Sequence, residues 1–256
     1  MFDFEHVNRI RLAEIEMIAT FLPPGGRILE IGAGSGQQAL ALAQKRFKVD
    51  AIEVPSSAYR NSRLYPVVDY DGRHFPFPDA TFDAVFSSNV LEHVVDLSWL
   101  NTEVKRVLRP GGCCVHVMPT PAWRLWTTVL LLPAALQAVW KLRQEIVPRA
   151  PWSAAEAQRL RATWIKVAKQ GAPVRHGERG NIVSEMWLFR TAWWRRAFAA
   201  DGFEVLHREP MGLFYTGTMF FGPRLSFVHR RQLAYLLGSA CCLFVVRPVT
   251  PNTTAA

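Results

Sequence analysis

Eleven residues, Arg27 to Gln37, read Arg-Ile-Leu-Glu-Ile-Gly-Ala-Gly-Ser-Gly-Gln and constrain what the chain around them can become. Ile28, Leu29 and Ile31 have the pattern of a short buried strand. Gly32, Gly34 and Gly36 follow at alternate positions, and glycine admits both left-handed turns and close approach of the backbone to a ligand. A helix expected over Gln38 to Gln44 would aim its positive end at that turn. The next acidic strand end, Glu53, stands where a carboxylate meets ribose hydroxyls in nucleotide-binding βαβ units.

The rest of the chain extends the same alternation. Residues 5 to 22 carry a helical stripe that Pro23-Pro24-Gly25-Gly26 ends. Strands are expected at Phe47 to Glu53, Tyr65 to Asp69, Phe82 to Ser88 and Cys113 to Met118, with a helix over Leu97 to Leu108 that Arg109-Pro110-Gly111-Gly112 stops. Pro66 cannot donate to a ladder, so its strand belongs on an edge. Thr191 is a plausible cap for a helix over Trp193 to Ala200, Gly202 stops it, and Phe203 to Glu209 and Ala240 to Arg247 are the last two strands, joined by a loop rich in Phe and Tyr. This order predicts an α/β fold: a doubly wound, mostly parallel seven-stranded sheet in one domain over 1–256, with a helical insertion over 120–190 after strand 5.

Half of the residues are apolar, ample for a sizeable core, and 30 basic against 21 acidic residues give a net charge of +9 that attracts anions. Cys113-Cys114 and Cys241-Cys242 sit in apolar strand-like segments and show neither zinc spacing nor a disulfide framework, so no metal ligands are assigned and buried reduced thiols are expected. Met1 to His6 lacks the basic and apolar regions of a secretory signal, which points to a cytoplasmic protein.

A Gly-x-Gly followed by an acidic residue also suits nicotinamide-dependent oxidoreductases, but here Glu30 lies inside the strand and Gln37 stands where a dinucleotide site wants its third glycine. Glu30-x-Gly32-x-Gly34-x-Gly36, Glu53, Asp71-Gly72, Phe75-Pro76-Phe77-Pro78, Phe82-Asp83, Ser88 to Val94 and Arg106 to Gly112 together resemble the class I S-adenosylmethionine-dependent methyltransferases, specifically the small-molecule type 11 group. The resemblance covers residues 25 to 120 strongly and the last two strands loosely. It implies that Gly32, Gly34 and Gly36 approach the methionine part of the cofactor S-adenosylmethionine, and that Glu30 fixes the loop and faces the ammonium. Glu53 would take the ribose hydroxyls, Asp71 and the Gly72 amide the adenine, and Ser88 would place backbone near the sulfonium.

His93 follows the fourth strand and is a candidate proton acceptor, with helix packing as its structural alternative. His176, Glu178 and Glu185 surround the Gly177 to Asn181 loop, either as a substrate lid or as an ordinary connection. Leu125 to Trp140 is an uncharged run of 16 residues interrupted by Pro133, short of the ~20 needed to span a bilayer. Flanked by tryptophans and basic residues, it suits a peripheral position on the inner membrane face or a buried helical pair that closes the acceptor pocket. Either favours a small apolar or lipid-linked acceptor, and no nucleic-acid motif is present. A non-catalytic docking module on the same fold is a further alternative.

Overall fold

The computed structural model describes residues 4–146, 153–155, 157–159, 161–162, 165, 175–218 and 220–249. Within the insertion the sequence also has the pattern of an arginine-rich amphipathic helix over Trp152 to Gln170; most of it, and the tail after Val249, lie outside the described residues.

Helix α1 (Phe4–Thr20) precedes β1 (Arg27–Ile31), α2 (Gln37–Gln44), β2 (Lys48–Glu53), the short β3 (Val68–Asp69), β4 (Phe82–Ser88), α3 (Leu97–Val107) and β5 (Leu108–Pro119). Then come α4 (Pro121–Val129), α5 (Leu131–Ile146), α6 (Ile182–Leu188), α7 (Thr191–Ala200), β6 (Phe203–Pro210), α8 (Phe227–Leu237) and β7 (Cys241–Pro248). The seven strands lie in the order β3-β2-β1-β4-β5-β7-β6. All pairings are parallel except those of β7, which runs against both β5 and β6.

Both faces of the sheet are covered, as near-continuous apolar strands require. Phe82 and Val85 of β4 pack with Leu100, Val104 and Val107 of α3 and with Trp194 and Phe198 of α7. Ala84 and Phe86, pointing the other way, meet Ile10, Ile15 and Ile18 of α1. Each of these larger side chains contributes roughly 1.5–3 kcal/mol on full burial. The register aligns Ile31 with Ile52 on one side and Ser87 on the other. Gly32, Glu53 and Ser88, each one residue further on, therefore share one edge of the sheet.

Four local expectations change. The third strand shrinks to Val68–Asp69, at the edge that Pro66 required. Arg109 to Gly112 do not precede β5 but form an irregularity inside it: the register jumps from Phe82–Leu108 to Ala84–Cys113, with Gly111 at φ 79°. Thr191 caps nothing. Arg190 is the N-cap without a side-chain bond, and the Thr191 hydroxyl accepts from Arg208 Nη1 at 3.2 Å. The expected Phe/Tyr loop contains α8, capped by Ser226 and ended at Gly238 with φ 93°. Its two buried residues are Arg230 and Ala234, so no apolar stripe betrayed it. All four thiols are free, three of them buried.

Candidate functional site

The three glycines adopt φ values of 67°, 56° and 74°. A Cβ on Gly32 would lie 2.5 Å from Val90, and one on Gly36 would lie 2.7 Å from Tyr65, so these positions exclude a side chain on two counts. The Gly32 and Ala33 amides both donate to the Ile52 carbonyl, at 2.9 and 3.1 Å. Glu53 completes the turn: Oε2 accepts from the Gly34 amide and Oε1 from the Val54 amide, both at 2.8 Å. Fixing the loop, expected of Glu30, is thus also the work of Glu53.

Glu30 is 2% exposed. Its carboxyl accepts from the Ala39 amide in α2, while Oε2 has no hydrogen-bond partner. Burial, with a smaller push from the Glu53 charge, raises its pKa to about 8. An orphaned carboxyl oxygen within the strand that feeds a glycine turn fits a ligand carrying an ammonium group. Asp71 and Gly72 follow β3, where the Tyr70 amide donates to the Glu53 carbonyl at 3.1 Å. The Asp71 carboxylate accepts from the His74 ring at 2.9 Å and from the His74 and Arg73 amides at 2.7 and 2.8 Å, which holds its pKa down to about 2. It is exposed and engaged with its own loop.

Past Ser88 the chain turns at Asn89, a non-glycine residue at φ 54°. With its amide oxygen turned to α1, Asn89 accepts from Arg11 at 2.7 and 3.0 Å. Arg11 Nη1 also donates to Glu14 at 2.9 Å and to the Tyr215 hydroxyl at 3.2 Å. The end of β4 is thereby anchored by residues that the sequence reading passed over, scattered through apolar stretches at separations no motif encodes.

A single 3-10 turn, Leu91–His93, comes next and meets the 175–190 segment. Arg179 donates to the Val94 and Leu91 carbonyls at 2.6 and 2.9 Å, and the Glu178 amide donates to the Glu92 carbonyl at 2.9 Å. Glu185, fully buried, accepts from the His176 and Gly177 amides at 2.6 and 2.8 Å and forms an ion pair with Arg124 of α4 at 3.2 Å. Of the three residues expected to meet an acceptor, His176 alone joins His93: their rings stand 4.6 Å apart. Glu185 holds the segment: its Oε1 takes both amides, and its Oε2 meets the Arg124 guanidinium as an ion pair without a hydrogen bond. Glu178 is exposed and pairs with Arg175 at 3.0 Å.

Glu92, 1% exposed, faces both rings, with Oε1 3.9 Å from His93 Nε2 and 3.7 Å from His176 Nε2. Burial lowers the His93 pKa, against an opposing pull from Glu92. Glu92 was visible in the sequence as the neighbour of His93; its closeness to His176, 84 positions away, was not.

Helix α4 follows β5 at this end of the sheet and packs on α6, and α5 continues from α4. Trp123, Arg124 and Thr127 are buried, whereas Leu125, Val129, Leu132, Leu136 and Trp140, at helical spacing, are 44–68% exposed. Among the described residues no single helix is long and apolar enough to cross a membrane; only Pro121–Val129 with Leu131–Trp140, bent by 43°, reach that length and composition together.

Residues 29–116 match the family described as methyltransferase domain. An "uncharacterized methyltransferase" of Mycobacterium sp. (strain JLS) is 36% identical over 112 residues, 41% of this chain and 43% of the relative. A demethylmenaquinone methyltransferase of Corynebacterium urealyticum is 34% identical over 126 residues, 47% of this chain and 55% of the relative. The match thus spans about half the length of these curated relatives. For fold alone, the chain resembles an S-adenosylmethionine-dependent methyltransferase from Mesorhizobium loti, with TM-score 0.52 and 19% identity over 92% of this chain and 97% of that one.

Proposed function

From a class I S-adenosylmethionine-dependent methyltransferase domain at residues 29–116, we propose that this chain transfers a methyl group to a small apolar or lipid-linked acceptor. The observation that carries the donor half is the orphaned, buried Oε2 of Glu30 beside a glycine turn clamped by Glu53.

S-adenosylmethionine supplies a sulfonium methyl that a nucleophile displaces in line, and most of the rate in such a transfer comes from positioning. Gly32, Gly34 and Gly36 carry the methionine part, with Glu30 opposite its ammonium. The lone pairs that Glu53 keeps beyond its two backbone bonds take the ribose hydroxyls. Asp71 and the Gly72 amide, one strand over, receive the adenine, and the Ser88 backbone lies toward the sulfonium. His93, held neutral by burial, takes the acceptor's proton at Nε2, where the Glu92 carboxylate balances the imidazolium.

The acceptor's apolar character is supported by the α4–α5 pair. The exposed stripe from Leu125 to Trp140, with basic Arg143 beyond it, suits peripheral contact with the anionic inner face of a membrane, from which an apolar molecule can be drawn. One relative, named a demethylmenaquinone methyltransferase, points the same way. Calorimetric titration with S-adenosylhomocysteine tests the donor half: one equivalent bound is expected, and a folded sample that binds none overturns the reading.

A further inference from the structure

The Glu92 carboxylate is buried, 1% exposed, and among the described residues neither of its oxygens accepts a hydrogen bond. An isolated buried carboxylate is strongly disfavoured unless a cation or donors meet it. Arg179, the nearby guanidinium, feels the Glu92 charge but gives it no hydrogen bond: its two terminal nitrogens donate to the Leu91 and Val94 carbonyls, and its central carbon lies 5.0 and 5.6 Å from the Trp193 and Trp194 ring centroids.

What does face Glu92 is a pair of imidazoles. One ligating atom each from Glu92, His93 and His176 all lie within 4.8 Å of one another. Two imidazoles and one carboxylate are the donor set of a three-ligand zinc centre with an open fourth position. Ligands bonded at zinc distances stand roughly 3.3 Å apart in a tetrahedron, so the Glu92–imidazole separations of 3.7 and 3.9 Å need a few tenths of an ångström of side-chain movement, and the two imidazole nitrogens, within 4.8 Å of each other, close the rest by turning about their side-chain bonds.

The surroundings hold the three residues in place. Arg179 and the Glu178 amide pin the turn that carries Glu92 and His93. Glu185, itself tied to Arg124, pins the backbone at His176. The Trp123 ring, centred 4.4 Å from that of His176, backs the imidazole. Such supporting contacts orient ligands in metal sites.

We propose that Glu92, His93 and His176 bind one divalent transition-metal cation of the zinc type, with a fourth position left open. A bound cation takes the His93 Nε2 that the methyl-transfer reading gives to the acceptor's proton, so that base role belongs to the metal-free protein; the cation site itself does not rest on that reading.

The test uses the full-length protein freed of metal and titrated with Zn2+ or Co2+. The wild type is expected to bind one equivalent, with the intense visible absorption of low-coordinate Co2+. Glu92→Gln and His176→Ala are each expected to bind ~100-fold more weakly or not at all, while His207→Ala, at the exposed His207–Glu209 pair, should bind as the wild type does. S-adenosylhomocysteine binding reports separately on folding and on the cofactor site. No binding by folded wild type, unchanged binding in either cluster variant, or loss in His207→Ala instead would overturn the proposal.

Discussion

Gly177 lies so close to Glu92 that a Cβ on it would come within 2.7 Å of the Glu92 carbonyl oxygen, which also accepts from the Glu178 amide at 2.9 Å. The obstacle is backbone on both sides, so neither can swing away. Gly177→Ala should therefore push the 175–190 segment off the Leu91–His93 turn and cost about 1–3 kcal/mol, as overpacking does. Denaturant midpoints measure the loss. S-adenosylhomocysteine affinity should stay within about twofold, because the glycine turn lies outside this junction.

Glu30 makes cofactor binding a proton-linked event. With its carboxyl pKa near 8 by burial, the ligand-free protein carries that proton at pH 7. An ammonium placed beside it restores the ordinary preference for the charged form. Binding S-adenosylhomocysteine at pH 7 should release close to one proton, and affinity should rise with pH until about 8. Calorimetry in buffers of different ionisation enthalpy reads the release directly, and Glu30→Gln should abolish it. Without ligand the folded state holds this proton and the unfolded state does not between the ordinary 4.5 and about 8, so stability falls as pH rises through that window.

Glu53 has two duties, and removing it should show both. Glu53→Ala loses the bonds that hold the Gly34 and Val54 amides as well as those offered to the ribose. A loss of about 1.5–3 kcal/mol in S-adenosylhomocysteine affinity is expected for charge-assisted bonds to a ligand. Unchanged affinity would place the ribose elsewhere.

The glycine turn was legible because its chemistry is contiguous: Glu30 to Gly36 form a strand, a turn and a helix start in seven residues. Glu53 and Ser88 followed because parallel strands of similar length end on one edge. The His93–Glu92–His176 cluster was not legible, since its members join only when an insertion folds back over β4, and nothing local fixes where it lands. Helix α8 escaped for a different reason, that of burying an arginine where a pattern reader looks for leucine. Glu185 was read with His176 and Glu178 as part of a lid or an ordinary connection, and its burial was not legible because Arg124, which meets it, lies in an apolar helix 61 positions earlier.

His116 gives the fold a sensitivity to acid. It lies in β5 at 1% exposure, with Nδ1 2.8 Å from Ser87 Oγ and its ring stacked on Phe198. Burial depresses its pKa from 6.5 to about 3. The unfolded chain takes up a proton below 6.5 that the fold refuses, so this stabilisation is present above that pH and is lost as pH falls toward 3. The slope contributed is about 1.4 kcal/mol per pH unit. His116→Gln, which keeps a partner for Ser87, should flatten the stability profile by close to one proton between pH 6 and 4 (roughly), as urea midpoints across that range would show.

Leu132 and Leu136 stand one helical turn apart on α5, 68% and 61% exposed, in the middle of the stripe that runs from Leu125 to Trp140. Buried alternatives for this face are absent among the described residues, and its two neighbours on the stripe, Val129 and Trp140, are also more than half exposed. Inserting two leucines into a lipid interface contributes roughly 1.5–3 kcal/mol each at full burial. The double variant Leu132→Ser, Leu136→Ser should therefore reduce co-sedimentation with vesicles of anionic phospholipid at least about tenfold. Because both side chains already face outward, its folding stability should change by no more than about 0.5 kcal/mol. S-adenosylhomocysteine affinity should not change. Equal pelleting of variant and wild type would remove the membrane from the proposed role of this helix pair and return it to closing the acceptor pocket.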